Sequence, residues 1–163
     1  VLLAFPSIIL ALVIIGALGP GMINTIVAIS LVGWLFYARV ARATTLSIRE
    51  KEYIEGARAM GCSDGYICLR YVLPNCLPPI IVLMTLNLGS VILSIAALGY
   101  LGLGAQPPTP EWGSMLNEGR EYLRDCPWLC VFPGLMIMLA VLAFNFIGDG
   151  LRDAIDPRQM VIK

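Results

Sequence analysis

Histidine is absent from the sequence, and lysine occurs twice, as Lys51 and Lys163. Without imidazole there is no histidine general base, no histidine metal ligand and no imidazole pH switch. Neither lysine stands in a G-x-x-x-x-G-K-[ST] setting, so these residues form no phosphate-binding loop. The five cysteines, Cys62, Cys68, Cys76, Cys126 and Cys130, contain no C-x-x-C pair, which weakens any zinc or redox reading. Cys126 and Cys130 are four apart and leave a bridge open; the plainer reading is small apolar filler near a membrane surface. Charge is also scarce, at 13% of 163 residues, where a soluble domain carries about 25%. No charged residue occurs in 1–38, 71–110 or 126–148. A water-soluble fold cannot dress its surface that way. Lys+Arg and Asp+Glu balance at 11 each, so there is no basic footprint for nucleic acid. An ordinary soluble enzyme, a disordered chain and a nucleic-acid binder are excluded.

What is there is apolar: 58% hydrophobic residues, with a mean hydropathy of +0.82. A helix crossing ~30 Å of hydrocarbon needs about 20 such residues. The run 1–38 is long enough for two passes and is broken by Gly19-Pro20-Gly21, which predicts antiparallel spans over about 1–18 and 22–40. Pro6 sits near the start of the first, where proline costs least. Pro74, Pro78 and Pro79 discourage regular helix at the start of the second run, and Pro107, Pro108 and Pro110 end it, leaving a span over about 80–103. The run between Asp125 and Asp149 supplies a fourth, about 127–148. The expected fold is all-α, a polytopic transmembrane helix bundle.

Charge orients it. Segment 39–75 holds Arg39, Arg42, Arg49, Lys51, Arg58 and Arg70; the tail 149–163 holds Arg152, Arg158 and Lys163; loop 104–126 holds only Arg120 and Arg124, beside four acids. The positive-inside rule places the first two in the cytosol and loop 104–126 outside, and alternation of four spans agrees. Trp112, Tyr122 and Trp128 fit an outer aromatic belt, Trp34 and Tyr37 an inner one. The chain begins inside an apolar run with neither a leading Met nor a signal-peptide pattern. A fragment lacking its N-terminal part is therefore the expectation.

No ionisable side chain lies deep in these spans, whereas proton relays, ion-coupled carriers and voltage sensors need one. The polar residues at depth are Asn24, Thr25, Ser30, Thr85, Asn87, Ser90, Ser94 and Asn145. They suit two roles: lining a path for a polar solute, or hydrogen-bonding neighbouring helices. Gly89, Ser90, Ser94, Ala96, Ala97, Gly99, Gly102 and Gly104 make the third span thin, which predicts close helix packing and a partner subunit.

The segment 41–75 is more specific. Ser47-Ile48-Arg49-Glu50 reads as a capping box opening a helix that runs to about Met60. Gly61 suits the position after that helix, where positive φ is free of a Cβ clash. Ser63 offers a second N-cap, for a helix from about 64 to Val72 that stops before Pro74. Tyr53, Ala57 and Met60 share one face, and Gly56, Ala57, Ala59 and Gly61 make one side thin enough for another protein to approach the backbone. A DNA-reading helix-turn-helix is opposed by four acids within 50–64 and by the membrane tether.

Glu55-Gly56-Ala57, three residues, Gly61, nine residues, then Tyr71-Val72-Leu73-Pro74 resembles the EAA loop of bacterial ABC-importer permeases, E-A-A-x3-G-x9-I-x-L-P. Gly56 stands for the first Ala and Tyr71 for the Ile. Leu3-Ala4-Phe5-Pro6, Leu18-Gly19-Pro20-Gly21, Leu73-Pro74-Asn75, Tyr100 with Leu101-Gly102-Leu103-Gly104, and Gln106-Pro107-Pro108-Thr109-Pro110-Glu111-Trp112-Gly113 resemble the oligopeptide/dipeptide/nickel branch. Phe144-Asn145-Phe146-Ile147-Gly148-Asp149-Gly150-Leu151-Arg152-Asp153 with Asp156-Pro157-Arg158 is similar to the end of its second, C-type permease. The resemblance implies a type I ABC-importer permease domain, usually of six spans, of which these look like the last four.

It further implies a non-catalytic subunit of a bacterial inner (plasma) membrane, multi-pass with a cytosolic C-terminus, holding no cofactor or metal. It would pass peptides or a similar small solute, such as a dipeptide, an oligopeptide, nickel or glutathione. Implied partners are a homologous second permease, cytosolic ABC ATPases, a periplasmic or surface solute-binding protein meeting loop 104–126, and the lipid bilayer. Glu55, Gly56, Ala57, Gly61, Leu73 and Pro74 would form the ATPase-coupling contact. Thr109 as N-cap, Pro110 at N1 and Glu111 next predict a short outer helix. The competing readings are a channel or ion-coupled transporter working without an ATPase, and a membrane-embedded enzyme. The spans offer neither the mid-membrane charge of the first nor the nucleophile, base or ligand set of the second.

Overall fold

The structure is a computed structural model and describes residues 5–155. Leu3-Ala4 and the tail segment Asp156-Pro157-Arg158 with Lys163 lie outside the described residues. Within them the chain folds into helices with no strand, as the apolar runs require. Helices α1 (Ser7–Leu18) and α2 (Met22–Arg49) form an antiparallel pair; α3 (Glu52–Ala59) and α4 (Asp64–Ile67) make a short hairpin; and α5 (Leu73–Tyr100) returns along α2. At the far end α6 (Trp112–Gly119) precedes α7 (Trp128–Ile155). Three helical stretches among the described residues are long and apolar enough to cross a bilayer: Met22–Arg49, Asp64–Tyr100 and Trp128–Ile155. The described part of the first expected span is a helix of 12 residues, about 18 Å of rise. Pro6 serves as its N-cap and stands outside the helix.

The lengths differ from the expected spans for a physical reason. Apolarity marks where lipid ends, and helices end where backbone hydrogen bonds do. No glycine or proline interrupts 34–49, so α2 continues 28 residues, through Arg39 and Arg42 to Arg49. Ser47 therefore lies inside its last turn and caps nothing. The helix expected to stop before Pro74 does not stop. Asp64–Tyr100 runs unbroken for 37 residues, passing Pro74 by a π-helical turn over Cys68–Val72. A proline cannot donate to the carbonyl one turn back and crowds it; a π turn widens the backbone there. Asn75 Nδ2 meets the Tyr71 carbonyl at 2.7 Å. Pro78 and Pro79 are likewise carried within α5.

Two ends result. Gly21 N–H donates to the Leu103 carbonyl at 3.2 Å, and Thr25 Oγ1, fully buried, reaches the same oxygen at 3.1 Å. The α1–α2 turn and the turn after α5 therefore share one end, with α6 beside them; the α3–α4 hairpin stands at the other. A buried cluster of Ala11, Ile15, Ala28 and Leu98 joins α1, α2 and α5. Small residues let α5 and α7 approach closely: a Cβ on Gly89 would stand 3.1 Å from Asn145 Oδ1, and one on Gly148 2.6 Å from Leu86 Cδ2. Gly89, Ala96 and Gly99 of the expected thin set thus pack against segments of the same chain, whereas Ser90 is exposed. Elsewhere large apolar groups such as Ile23 and Phe146 point outward, as lipid or further protein would require.

Helix α6 begins two residues later than expected. Glu111, in place of Thr109, is the N-cap of α6: its carboxylate accepts from Gly113 N–H at 2.9 Å and Ser114 N–H at 3.1 Å. A carboxylate satisfies two otherwise unpaired donors and faces the positive end of the helix. All five cysteines are free thiols, so Cys126 and Cys130 form no bridge.

Candidate functional site

The hairpin over residues 50–72 is built from a break that the local sequence does not announce. Lys51 is extended (φ −85, ψ 141) and separates α2 from α3. Folding back there buries Ile54 (0% exposed) and Ala57 (1%) against Ile48, Ile67 and Cys76. Burying an isoleucine contributes about 1.5–3 kcal/mol, more than the roughly 0.5–1.5 kcal/mol net of one helical hydrogen bond. Tertiary burial thus overrides continuation of α2. Glu52 and Glu55 lie in the first turn of α3 and Arg58 in its last, each sign at the favourable end of the helix dipole.

The end of α3 follows the expected pattern. Gly61 has φ +81; its N–H donates to the Arg58 carbonyl at 2.9 Å, and Cys62 N–H to the Ala57 carbonyl at 3.1 Å. These two bonds make a Schellman motif with Gly61 in the left-handed position. Ser63 then caps α4, its Oγ accepting from Tyr66 N–H at 3.4 Å. The hairpin is therefore locked at both sides of a four-residue turn, Met60 to Ser63. Tyr71 stands between Tyr53 and Tyr66, with ring centroids 6.2 Å and 6.1 Å away. Thr45 Oγ1 and Cys76 Sγ, 3.5 Å apart, tie α2 to α5 beneath it.

Of the six residues that the sequence singled out, Glu55, Gly56, Gly61, Leu73 and Pro74 are exposed and Ala57 is not. Ala57 faces the interior of the hairpin, so its small size serves packing between helices and not an open face. The exposed side of the hairpin carries Tyr53 and Met60, with Tyr66 on α4 and Leu69 in the π turn exposed at 51% and 69%. A Cβ added at Gly56 would meet nothing within 4 Å. Glu55 and Gly56 are thus exposed on the same projecting hairpin as this apolar, aromatic set. Leu73 and Pro74 lie on the other side of the π turn, where the hairpin enters α5. Sequence reasoning missed that turn and the tyrosine set. Pro74 was the signal for the first; nothing in spacing alone marks the second.

The family described as "Binding-protein-dependent transport system inner membrane component" matches residues 1–161. The dipeptide transport system permease protein DppC of Alkalihalophilus pseudofirmus is 51% identical over 159 residues, 98% of this chain and 52% of that protein. The glutathione transport system permease protein GsiD of Escherichia coli is 49% identical over 158 residues, 97% of this chain and 52% of that one. GsiD of Shigella flexneri gives the same figures. The chain spans about half the length of the curated relatives it matches.

Proposed function

The chain belongs to the family of binding-protein-dependent transport system inner membrane components, and from that premise we propose that it works as part of a permease subunit of an ABC importer. The cargo is a peptide or a similar small amide-bearing solute. The proposed partners are a second permease, cytosolic ATPases and a solute-binding protein outside. The subunit hydrolyses nothing itself; the work comes from the ATPases through the α3–α4 hairpin. The hairpin end faces the cytosol, together with the C-terminus, and α6 faces outward, a reading that the distribution of Arg and Lys supports.

One observation carries this reading: the segment that resembles an EAA loop stands exposed as a hairpin that is continuous through α4 and the π turn with a 37-residue helix. A push on Glu55, Gly56 or the Tyr66–Leu69 face moves that helix with little loss, because the Schellman turn and the buried Ile54–Ile67 contact leave the hairpin few ways to yield. An ATPase-free channel is not favoured by the relatives.

Gly56→Leu is the direct test. The site has room for the side chain, and replacing glycine within a helix favours the helix by up to ~1 kcal/mol. The hairpin therefore stays folded while a docking partner meets an obstacle. In the complete permease, reconstituted with its ATPases and binding protein, Gly56→Leu should lower ATPase co-purification and solute uptake at least tenfold. Unchanged binding and uptake would remove the hairpin from the coupling contact.

A further inference from the structure

Midway along the bundle, α1, α2 and α5 line a half-open cleft of about 190 Å³. Its polar lining is Ser7, Asn87, Ser90 and Ser94, with apolar walls from residues such as Val32 and Leu98. Asn87 and Ser94 lie thirteen and six residues before Tyr100, the last residue of α5, so the cleft sits about 9–20 Å below that end of the helix. Within ~30 Å of hydrocarbon that is membrane depth.

Residues 87, 90, 94 and 98 recur at helical spacing and form one stripe on α5. Their hydrogen bonds are unequally used. Asn87 Nδ2 donates to the Tyr37 hydroxyl across to α2 at 2.9 Å, which fixes the amide and turns its oxygen free. Ser94 Oγ donates to the Ser90 carbonyl at 2.8 Å and keeps its lone pairs. Ser90 is exposed on this face. Polar groups at membrane depth are costly against lipid and persist where they meet protein or water. The volume admits about six waters at ~30 Å³ each. No ionisable side chain lines the cleft, so it offers neutral donors and acceptors of the kind that water or a peptide amide satisfies equally well.

We propose that this cleft is a hydrated stretch of the solute path, and that Asn87, Ser90 and Ser94 take the neutral amide groups of the passing solute. It rests on the permease reading and adds the place and the chemistry. The lack of charge lets one lining serve solutes of different side chain, because only the amide backbone is met. The alternative occupant is a helix of another subunit seated on the stripe.

The test uses the complete permease with its partners in proteoliposomes. Ser90→Cys and Ser94→Cys are compared with Leu93→Cys and Phe146→Cys, which lie outside the cleft, by the rate of modification with a cationic, membrane-impermeant methanethiosulfonate. Peptide-resolved mass spectrometry reads each position apart from the native thiols. The expected result is modification at least tenfold faster at 90 and 94 than at 93 and 146, slowed at least threefold by saturating glycylglycine or S-methylglutathione, neither of which has a thiol to consume the reagent, during turnover. Rates equal to the two controls mean a seated helix and overturn the proposal; fast rates that neither solute slows overturn the amide role. ATPase co-purification is scored in the same samples. Its loss in the unsubstituted protein would defeat the permease reading, while the rate ratio still decides whether the cleft is wet.

Discussion

The carboxylate of Glu111 occupies the space that a side chain at Gly99 would need: a Cβ there would stand 2.6 Å from Glu111 Cδ. The same carboxylate caps α6. The start of α6 is therefore packed tightly on the last turn of α5, and α5 is continuous with the hairpin at the opposite end.

Gly99→Ala should displace Glu111 and uncap α6. Loss of an N-cap costs about 0.5–2 kcal/mol, so amides 113 and 114 should exchange roughly 2–30 times faster with deuterium. Glu111→Ala should give the same increase. A change at neither site would mean that α6 is held by other contacts.

Gly148→Val should force α5 and α7 apart, since Leu86 Cδ2 and Leu86 N lie 2.6 Å and 3.1 Å from the position of its Cβ. Overpacking of this kind costs about 1–3 kcal/mol, read as a lower melting temperature in detergent. Leu86→Ala added to it should recover part of the loss, because the nearest clash is with a side chain; strict additivity of the two substitutions would contradict the contact.

Gly61→Val should loosen the hairpin. A residue with a Cβ in the left-handed region costs roughly 1–2 kcal/mol, and β-branching adds to it. Gly61→Asn should cost least, as asparagine tolerates that region. Protease nicking within 58–64, scored against the unsubstituted protein, should rank valine above asparagine above glycine.

Ala57→Leu should destabilise the hairpin from inside, in contrast to the tolerated Gly56→Leu. Ala57 is 1% exposed against Ile48 and Ile67, and the three added carbons cost about 1–3 kcal/mol there. Equal melting temperatures for the two leucine variants would place Ala57 on the open face after all.

The outcomes at these positions trace how far local signals reach. Gly61 and Ser63 were legible because a helix stop and a cap are made by the residue itself and its next few neighbours. The break at Lys51 and the passage through Pro74 were not, because each is decided by what packs from elsewhere. Ser47 and Glu50 have the letters of a capping box, yet burial of Ile54 moves the break beyond them. Thr109-Pro110 likewise reads as a helix start, and Glu111 displaces it by reaching both the α6 amides and the thin end of α5.

The amino-acid order alone settled that this is an all-helical membrane chain, through uncharged runs that water cannot host, and set the spacing by which its family is recognised. It also determined two of the hairpin's stops. Only the tertiary structure decided which small residues face neighbours and which face outward, and where the helices turn. Those choices depend on close approach between segments far apart in the chain, which no local pattern of hydrophobicity or charge encodes.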